Sequence, residues 1–229
     1  RSWASDPTRS VKVAPGHWQD EEAKLSSTLD QLLSLQPNMA FVAPNRNEEA
    51  LFPTSRRPLA SDSLNRICWQ IERRAGVPVF IDLPDDWLND LELIADLASH
   101  VNFAGLRLSA EPGSLHSKKV LSSAERWRWP LKLIHSLQNT PADDAWATLR
   151  QGDLIALPAT RANIAALPAS AKTKVLLEFD STQPAAQIAR QMRELEASGF
   201  RQFGLAGIPD AGMEEVGHVL SRRSQPQLK

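Results

Sequence analysis

What most limits the folds open to this chain is its rhythm. Eight short apolar runs recur along the 229 residues, at 11–13, 39–43, 77–83, 103–108, 131–137, 154–157, 175–179 and 203–208. Their spacing averages roughly 28 residues, close to one strand, one helix and two loops. Several runs are apolar throughout instead of alternating, which suits strands buried on both faces of a parallel sheet.

The stretches between the runs carry helical periodicity. In residues 62–75, Leu64, Ile67, Cys68 and Ile71 fall at i, i+3, i+4 and i+7. Ser61 or Asp62 is placed to cap the start and Gly76 to stop the end. Residues 185–198 carry the stripe Ile188, Met192 and Leu195, with Pro184 suited to the first helical position and Gly199 past the last. Residues 90–101 align Ile94, Leu97 and Val101, and residues 20–35 align Leu25, Leu29, Leu32 and Leu33. The fourth and fifth connections are the least helical, and 125–129 is short and rich in Trp.

Eight βα units predict an α/β fold, a compact (β/α)8 TIM-type barrel, for which ~200–250 residues suffice. An open doubly wound α/β sheet is the alternative. The expected organisation is an N-terminal tail at 1–10, one barrel domain at 11–220 and a C-terminal tail at 221–229. The chain begins at Arg1 and reads as a trimmed start from which any targeting segment is already gone.

Composition removes several functions. Lys and Arg total 26 against 27 Asp and Glu, so no nucleic-acid partner is expected. No apolar run approaches the ~20 residues of a membrane span. The single Cys68 excludes an internal disulfide framework and a Cys-based zinc cluster, and its place on an apolar stripe reads as an inert core thiol. The five His show neither HExxH nor helical pairing, and no Gly-rich phosphate loop follows any run. No metal or other cofactor is called for. A GxSxG elbow is also missing, which disfavours acyl transfer.

In a βα barrel, chemistry gathers where strands end at the C-terminal face. The residues expected there are His17, Trp18 and Asp20; Asn45 and Arg46; Asp82, Asp85, Asp86 and Trp87; Ser109 and Glu111; His135 and Gln138; Thr160 and Arg161; Glu178 and Asp180; and Asp210. Carboxylates with Trp suit carbohydrate, because paired carboxyls work on glycosidic bonds and Trp offers a flat face to a sugar ring. Glu178, inside the apolar VLLEF, is the strongest catalytic candidate, with Glu111 as its partner. The alternative for Glu178 is a buried ion pair with an Arg such as Arg107 or Arg161. Asp82, Asp85, Trp87, Trp18, Asp180, Arg161, Asn45 and His135 are the substrate-binding candidates. Asp85 and Asp86 can instead cap a helix, and Trp87 and Trp18 can equally be packing. Trp127 and Trp129 read as edge-of-core packing, Trp69 and Trp146 as helix packing, and Arg56-Arg57 as solvated surface.

The segment FPTSRRPLASDSLNRICWQIERRAG, running into VPVFIDLP, resembles the C-terminal glycoside-hydrolase-like domain of PgaB-type poly-β-1,6-N-acetyl-D-glucosamine deacetylases. LASHVNFAGLRLSAEPG, KTKVLLEFDST and MRELEASGFRQFGLAGIPD resemble further stretches of that domain, in the same order. The resemblance covers about residues 11–210. It implies a (β/α) barrel that binds partly deacetylated polymer in an acidic groove, and a periplasmic or otherwise exported setting. Glu178 matches a glutamate of that family's seventh strand. The family's His-Asp-Asp run on the fourth strand is here Ser109-Ala110-Glu111, its first-strand Asp pair is replaced by Ala14 and Gly16, and a third-strand aromatic is replaced by Asp82.

Three readings follow from the resemblance and its departures. The chain binds such an exopolysaccharide without efficient cleavage; or it is an endo-glycosidase using Glu178 and Glu111; or it is an interaction module among exopolysaccharide export components. For a cationic polymer, net neutrality implies segregated charge, with Asp82, Asp85, Glu111, Glu178 and Asp180 at the mouth and Arg and Lys elsewhere.

Overall fold

The computed structural model describes residues 7–13, 22–46, 48–58, 62–125 and 131–221. Eight parallel strands close on themselves, and the expected barrel is the fold; the open sheet is not. In chain order the elements are β1 (Arg9–Val13), α1 (Glu22–Leu35), β2 (Met39–Val42), α2 (Ser63–Gln70), β3 (Val79–Asp82), α3 (Leu91–His100), β4 (Gly105–Leu108), α4 (Leu115–Glu125), β5 (Lys132–Ser136), α5 (Asp143–Thr148), β6 (Leu154–Pro158), α6 (Arg161–Ala165), β7 (Val175–Phe179), α7 (Ala185–Ala197), β8 (Gln202–Leu205) and α8 (Met213–Ser221). Each strand pairs with the next, and β8 pairs with β1 at Arg9↔Phe203 to complete the ring. Parallel neighbours require a crossover, and a helix supplies it at every step.

Two cores result from the period-2 alternation of the strands. Inward residues Met39, Phe41, Phe80, Ile134, Leu154, Ala156 and Leu176 form a separate cluster inside the barrel, with Phe41 and Phe80 edge-to-face at 6.0 Å. Outward residues meet the helix stripes, including Leu29, Leu32, Leu64, Ile67, Ile94 and Ile188. Burial on both faces explains why the strands read as continuous apolar runs. Cys68 is fully buried on its stripe, and burial pushes its thiol up to about 12.

Local details depart from expectation. Strand β1 begins at Arg9, and Pro7 and Thr8 are already buried, so ordered chain starts before residue 11. Asp62 stands at the N-cap of α2 but makes no side-chain cap bond, because its backbone is not in the extended conformation such a bond needs. Ser61 lies outside the described residues. Past Gln70 the helix widens into one π-helical turn, Ile71–Ala75, which Gly76 ends at φ 67°. Pro184 caps α7 from the N-cap and does not open the first turn. A full helix, α4, does fill the fourth connection, while α5 in the fifth is six residues long. Among the described residues, no helix is long and apolar enough to cross a membrane.

Candidate functional site

The inward positions nearest the C-terminal end of the barrel are polar. They are Lys12 on β1, Asp82 on β3, Arg107 on β4, Ser136 on β5 and Glu178 on β7, each two residues beyond an inward small or apolar position. They form one connected network. The Arg107 guanidinium donates through both terminal nitrogens to Glu178, at 2.5 Å to Oε2 and 2.6 Å to Oε1, and also donates to Ser136 Oγ at 2.9 Å. Its Nε lies 3.6 Å from Asp82 Oδ1, and Asp82 Oδ2 is 3.1 Å from Lys12 Nζ. The guanidinium also lies over the Phe41 ring, 4.7 Å from its centroid.

The two ends of the network differ in exposure. The side chains of Arg107 and Glu178 are 5% and 8% exposed, whereas those of Asp82 and Lys12 are 22% and 37% exposed. Burial works against the Arg107 charge, but the attraction of Glu178 and Asp82 prevails and holds its pKa above the usual value. Gly204 makes room for this arrangement: a Cβ there would overlap Ser10 Oγ and come within 3.5 Å of Glu178 Cγ. Ser10 Oγ is buried without a hydrogen-bond partner beneath the network.

Of the two explanations open for Glu178, the ion pair is what the structure contains, and Arg107 is the partner. Two cations stand inside the mouth, so the expected segregation, with Arg and Lys elsewhere, is corrected: Asp82 and Glu178 are each matched by a positive charge. Glu111 is not paired with Glu178 across the barrel. It is exposed in the turn after β4, where its carbonyl accepts from Ser114, and the inward place at the end of β4 belongs to Arg107.

The other expected residues disperse. Trp87 is 5% exposed and packs edge-on to Phe52 at 5.8 Å, so it is core and not a wall open to a sugar ring. His135 alternates with the inward Ile134 and Ser136 and so faces outward; its Nδ1–H donates to the Ala110 carbonyl at 3.0 Å, tying down the turn after β4. Burial pushes its imidazole below the usual value. Asp85 is exposed in a short 3-10 turn, and Asp90, not Asp85 or Asp86, caps α3, accepting from Leu93 N. Asp180 is exposed, and the backbone N–H and then the hydroxyl of Thr182 hold its carboxyl below the usual range. Arg161 is exposed at the first position of α6, and Asn45 sits in a small hairpin beyond β2. Arg56 and Arg57 are exposed, Arg56 bridged to Asp90 and Glu92 and Arg57 to Glu49. Trp146 is buried, while Trp69 is 52% exposed beneath Arg73. Trp18, His17, Asp20, Trp127 and Trp129 lie outside the described residues.

Lys12 and Ser136 were absent from the expected site. The signal for Lys12 was present, since a lone charge at an alternate position of Ser10-Val11-Lys12-Val13 is costly inside a barrel unless paired. Among the described residues, no group of three His, Cys, Asp or Glu side chains is arranged to hold a metal ion. A hollow of about 320 Å³ lined by Arg9, Glu196, Gly199, Phe200 and Arg201 lies at the opposite end of the barrel from the network.

Chemically, the inner site does not hold the expected Glu178–Glu111 couple. Both Glu178 oxygens accept from Arg107, so the carboxylate stands in an ion pair, with one further lone pair left on each oxygen. A retaining mechanism also needs a second carboxyl ~5–5.5 Å away, where β4 instead presents a guanidinium. What remains at the surface is an acidic rim. Among the described residues, Asp85, Asp86, Glu111, Asp143, Asp180 and Asp210 are exposed in the loops and first helical turns at this end, with Arg46, Arg56, Arg57 and Arg161 exposed among them.

No family model matches the chain, and no curated protein matches it. Among solved structures, the class V chitinase of Nicotiana tobaccum aligns over 94% of this chain and 99% of its own, with TM-score 0.59 and 10% identity. A glutamate-to-glutamine mutant of that chitinase in complex with NAG4 aligns equally well. A truncated 3-deoxy-D-arabino-heptulosonate 7-phosphate synthase from Thermotoga maritima aligns over 94% of this chain and 85% of its own, with TM-score 0.52 and 15% identity. At these identities the likeness establishes the (β/α)8 barrel.

Proposed function

We propose that this barrel binds a carbohydrate polymer of the partly deacetylated β-1,6-glucosamine type at its C-terminal mouth without cleaving it efficiently. The observation that carries this reading is that β4 presents Arg107 to Glu178, in place of the second carboxyl a retaining hydrolase would set there. The acidic rim supports a cationic ligand, because a partly deacetylated glucosamine polymer carries ammonium groups. The resemblance to PgaB-type C-terminal domains supplies the polymer class, and the chitinase likeness is consistent with a sugar-handling barrel. By the same resemblance the protein works in the periplasm or is otherwise exported, beside exopolysaccharide export components.

The test is a calorimetric titration with partly deacetylated glucosamine oligomers. Saturable binding, weakened by salt, is expected. No heat of binding at millimolar oligomer would sink the reading.

A further inference from the structure

Beneath the Arg107–Glu178 pair, the Ser10 hydroxyl is fully buried and has no hydrogen-bond partner. Buried hydroxyls in folded proteins are nearly always paired, with protein or with ordered water, because an unpaired one keeps its desolvation cost and gains nothing. The strand register shows what this one faces. Ser10 on β1 lies beside Gly204 on β8, and Gly204 lies beside Glu178 on β7. All three positions point inward, and the middle one has no side chain. A Cβ at Gly204 would overlap Ser10 Oγ and come within 3.5 Å of Glu178 Cγ, so both side chains border the space that the glycine leaves. On this side of the barrel β6 also contributes a small inward residue, Ala156, whereas the large inward rings, Phe41 and Phe80, stand on β2 and β3.

Ser10 Oγ does not bond to Glu178 directly. A water can link two oxygens roughly 4–5.5 Å apart through two bonds of ~2.8 Å each. Glu178 can receive it, because each of its oxygens takes one N–H from Arg107 and keeps a second lone pair. Charge selects water over an ion. The Arg107 and Glu178 charges cancel here, so a cation would meet Arg107 and an anion would meet Glu178, both taken out of bulk water.

We infer that one water is bound inside the barrel between Ser10 Oγ and the Glu178 carboxylate. The serine hydroxyl donates to the water, and the water donates to a Glu178 oxygen, which satisfies the hydroxyl and gives the water the two polar partners that a buried site needs. Glu178 is then held from two directions, by Arg107 from β4 and by the water from β1. This site is independent of the polymer reading, since it belongs to the barrel wall with or without a ligand.

The experiment is a crystal structure of the wild-type protein at a resolution that shows ordered water. A density peak at roughly 2.6–3.2 Å from both Ser10 Oγ and a Glu178 oxygen is expected. A Ser10 hydroxyl bonded straight to Glu178 or to a strand carbonyl, with no peak between, would overturn the inference. Thermal melts of Ser10→Ala give an independent sign. If the hydroxyl holds the water, its removal is expected to lower Tm by about 2–4 °C, the worth of one hydrogen bond in a chain of this size. If the hydroxyl is merely unpaired, its removal relieves a cost, so a Ser10→Ala variant that melts at or above the wild type counts against the water. Should Ser10→Ala fail to fold, the wild-type density alone decides.

Discussion

Arg107→Met tests how the mouth of the barrel is held. The substitution keeps the apolar stem of the side chain to about the level of Nε but deletes the group that donates to both oxygens of Glu178 and to Ser136 Oγ. Glu178 is 8% exposed, so in the variant a carboxylate stays buried without its partner. Breaking a buried pair from one side costs about 3–5 kcal/mol, because the desolvation cost remains and the attraction is gone. For a chain of this size that corresponds to a fall in Tm of roughly 6–20 °C. The Phe41 ring also loses the cation stacked on it, a smaller contribution in the same direction. Replacing both partners, as Arg107→Met with Glu178→Leu, removes the buried charges together and is expected to restore most of the stability. Urea unfolding of the wild type, both single variants and the double variant at one pH measures this, and the two single losses should be far from additive. Single losses under about 1 kcal/mol, or losses that simply add, would refute the pairing argument.

Three further outcomes follow from the geometry. Gly204→Ala sets a methyl against Ser10 Oγ and is expected to cost about 1–3 kcal/mol, partly relieved when Ser10→Ala is added; a neutral Gly204→Ala would show that the barrel interior is looser than described. Asn163 is buried, accepts from Thr140 N and donates to the Gln138 and Pro158 carbonyls, so Asn163→Ala should cost about 2–4 kcal/mol in denaturant melts, and a loss under 0.5 kcal/mol would contradict that role. The His135 imidazole is pushed down by burial, so the unfolded chain binds its proton at a higher pH than the folded one. Stability should therefore fall as pH drops below about 6.5, and His135→Gln should flatten that part of the stability–pH curve; equal slopes in variant and wild type would count against it.

The barrel was legible because burial on two faces writes each strand as an unbroken apolar run, and because the helix stripes at Leu64–Ile67–Ile71 and Ile188–Met192 carry the 3.6 period. Strand ends and caps were less so. Asp62 has the residue type of a cap but not the backbone for one, and nothing in 71–75 announces a π-turn. Glu178 was readable as a costly charge in an apolar strand, and Arg107 as one possible partner. Which of function or ion pair prevails depends on a partner 71 residues away, set by how the strands are ordered around the barrel. Trp87, open to either reading in the sequence, is packing, and His135 faces outward: a residue near a strand end faces the mouth or the helix layer according to its phase in the strand and loop, and the loop phase is not written in local periodicity.

The claim that Glu178 is a held anion and not a nucleophile is tested most directly by reducing-end release. Wild-type protein is incubated with partly deacetylated β-1,6-glucosamine polymer, and new reducing ends are counted against the Glu178→Gln variant. The account predicts no release above the variant's background. Turnover by the wild type that disappears in Glu178→Gln would contradict it.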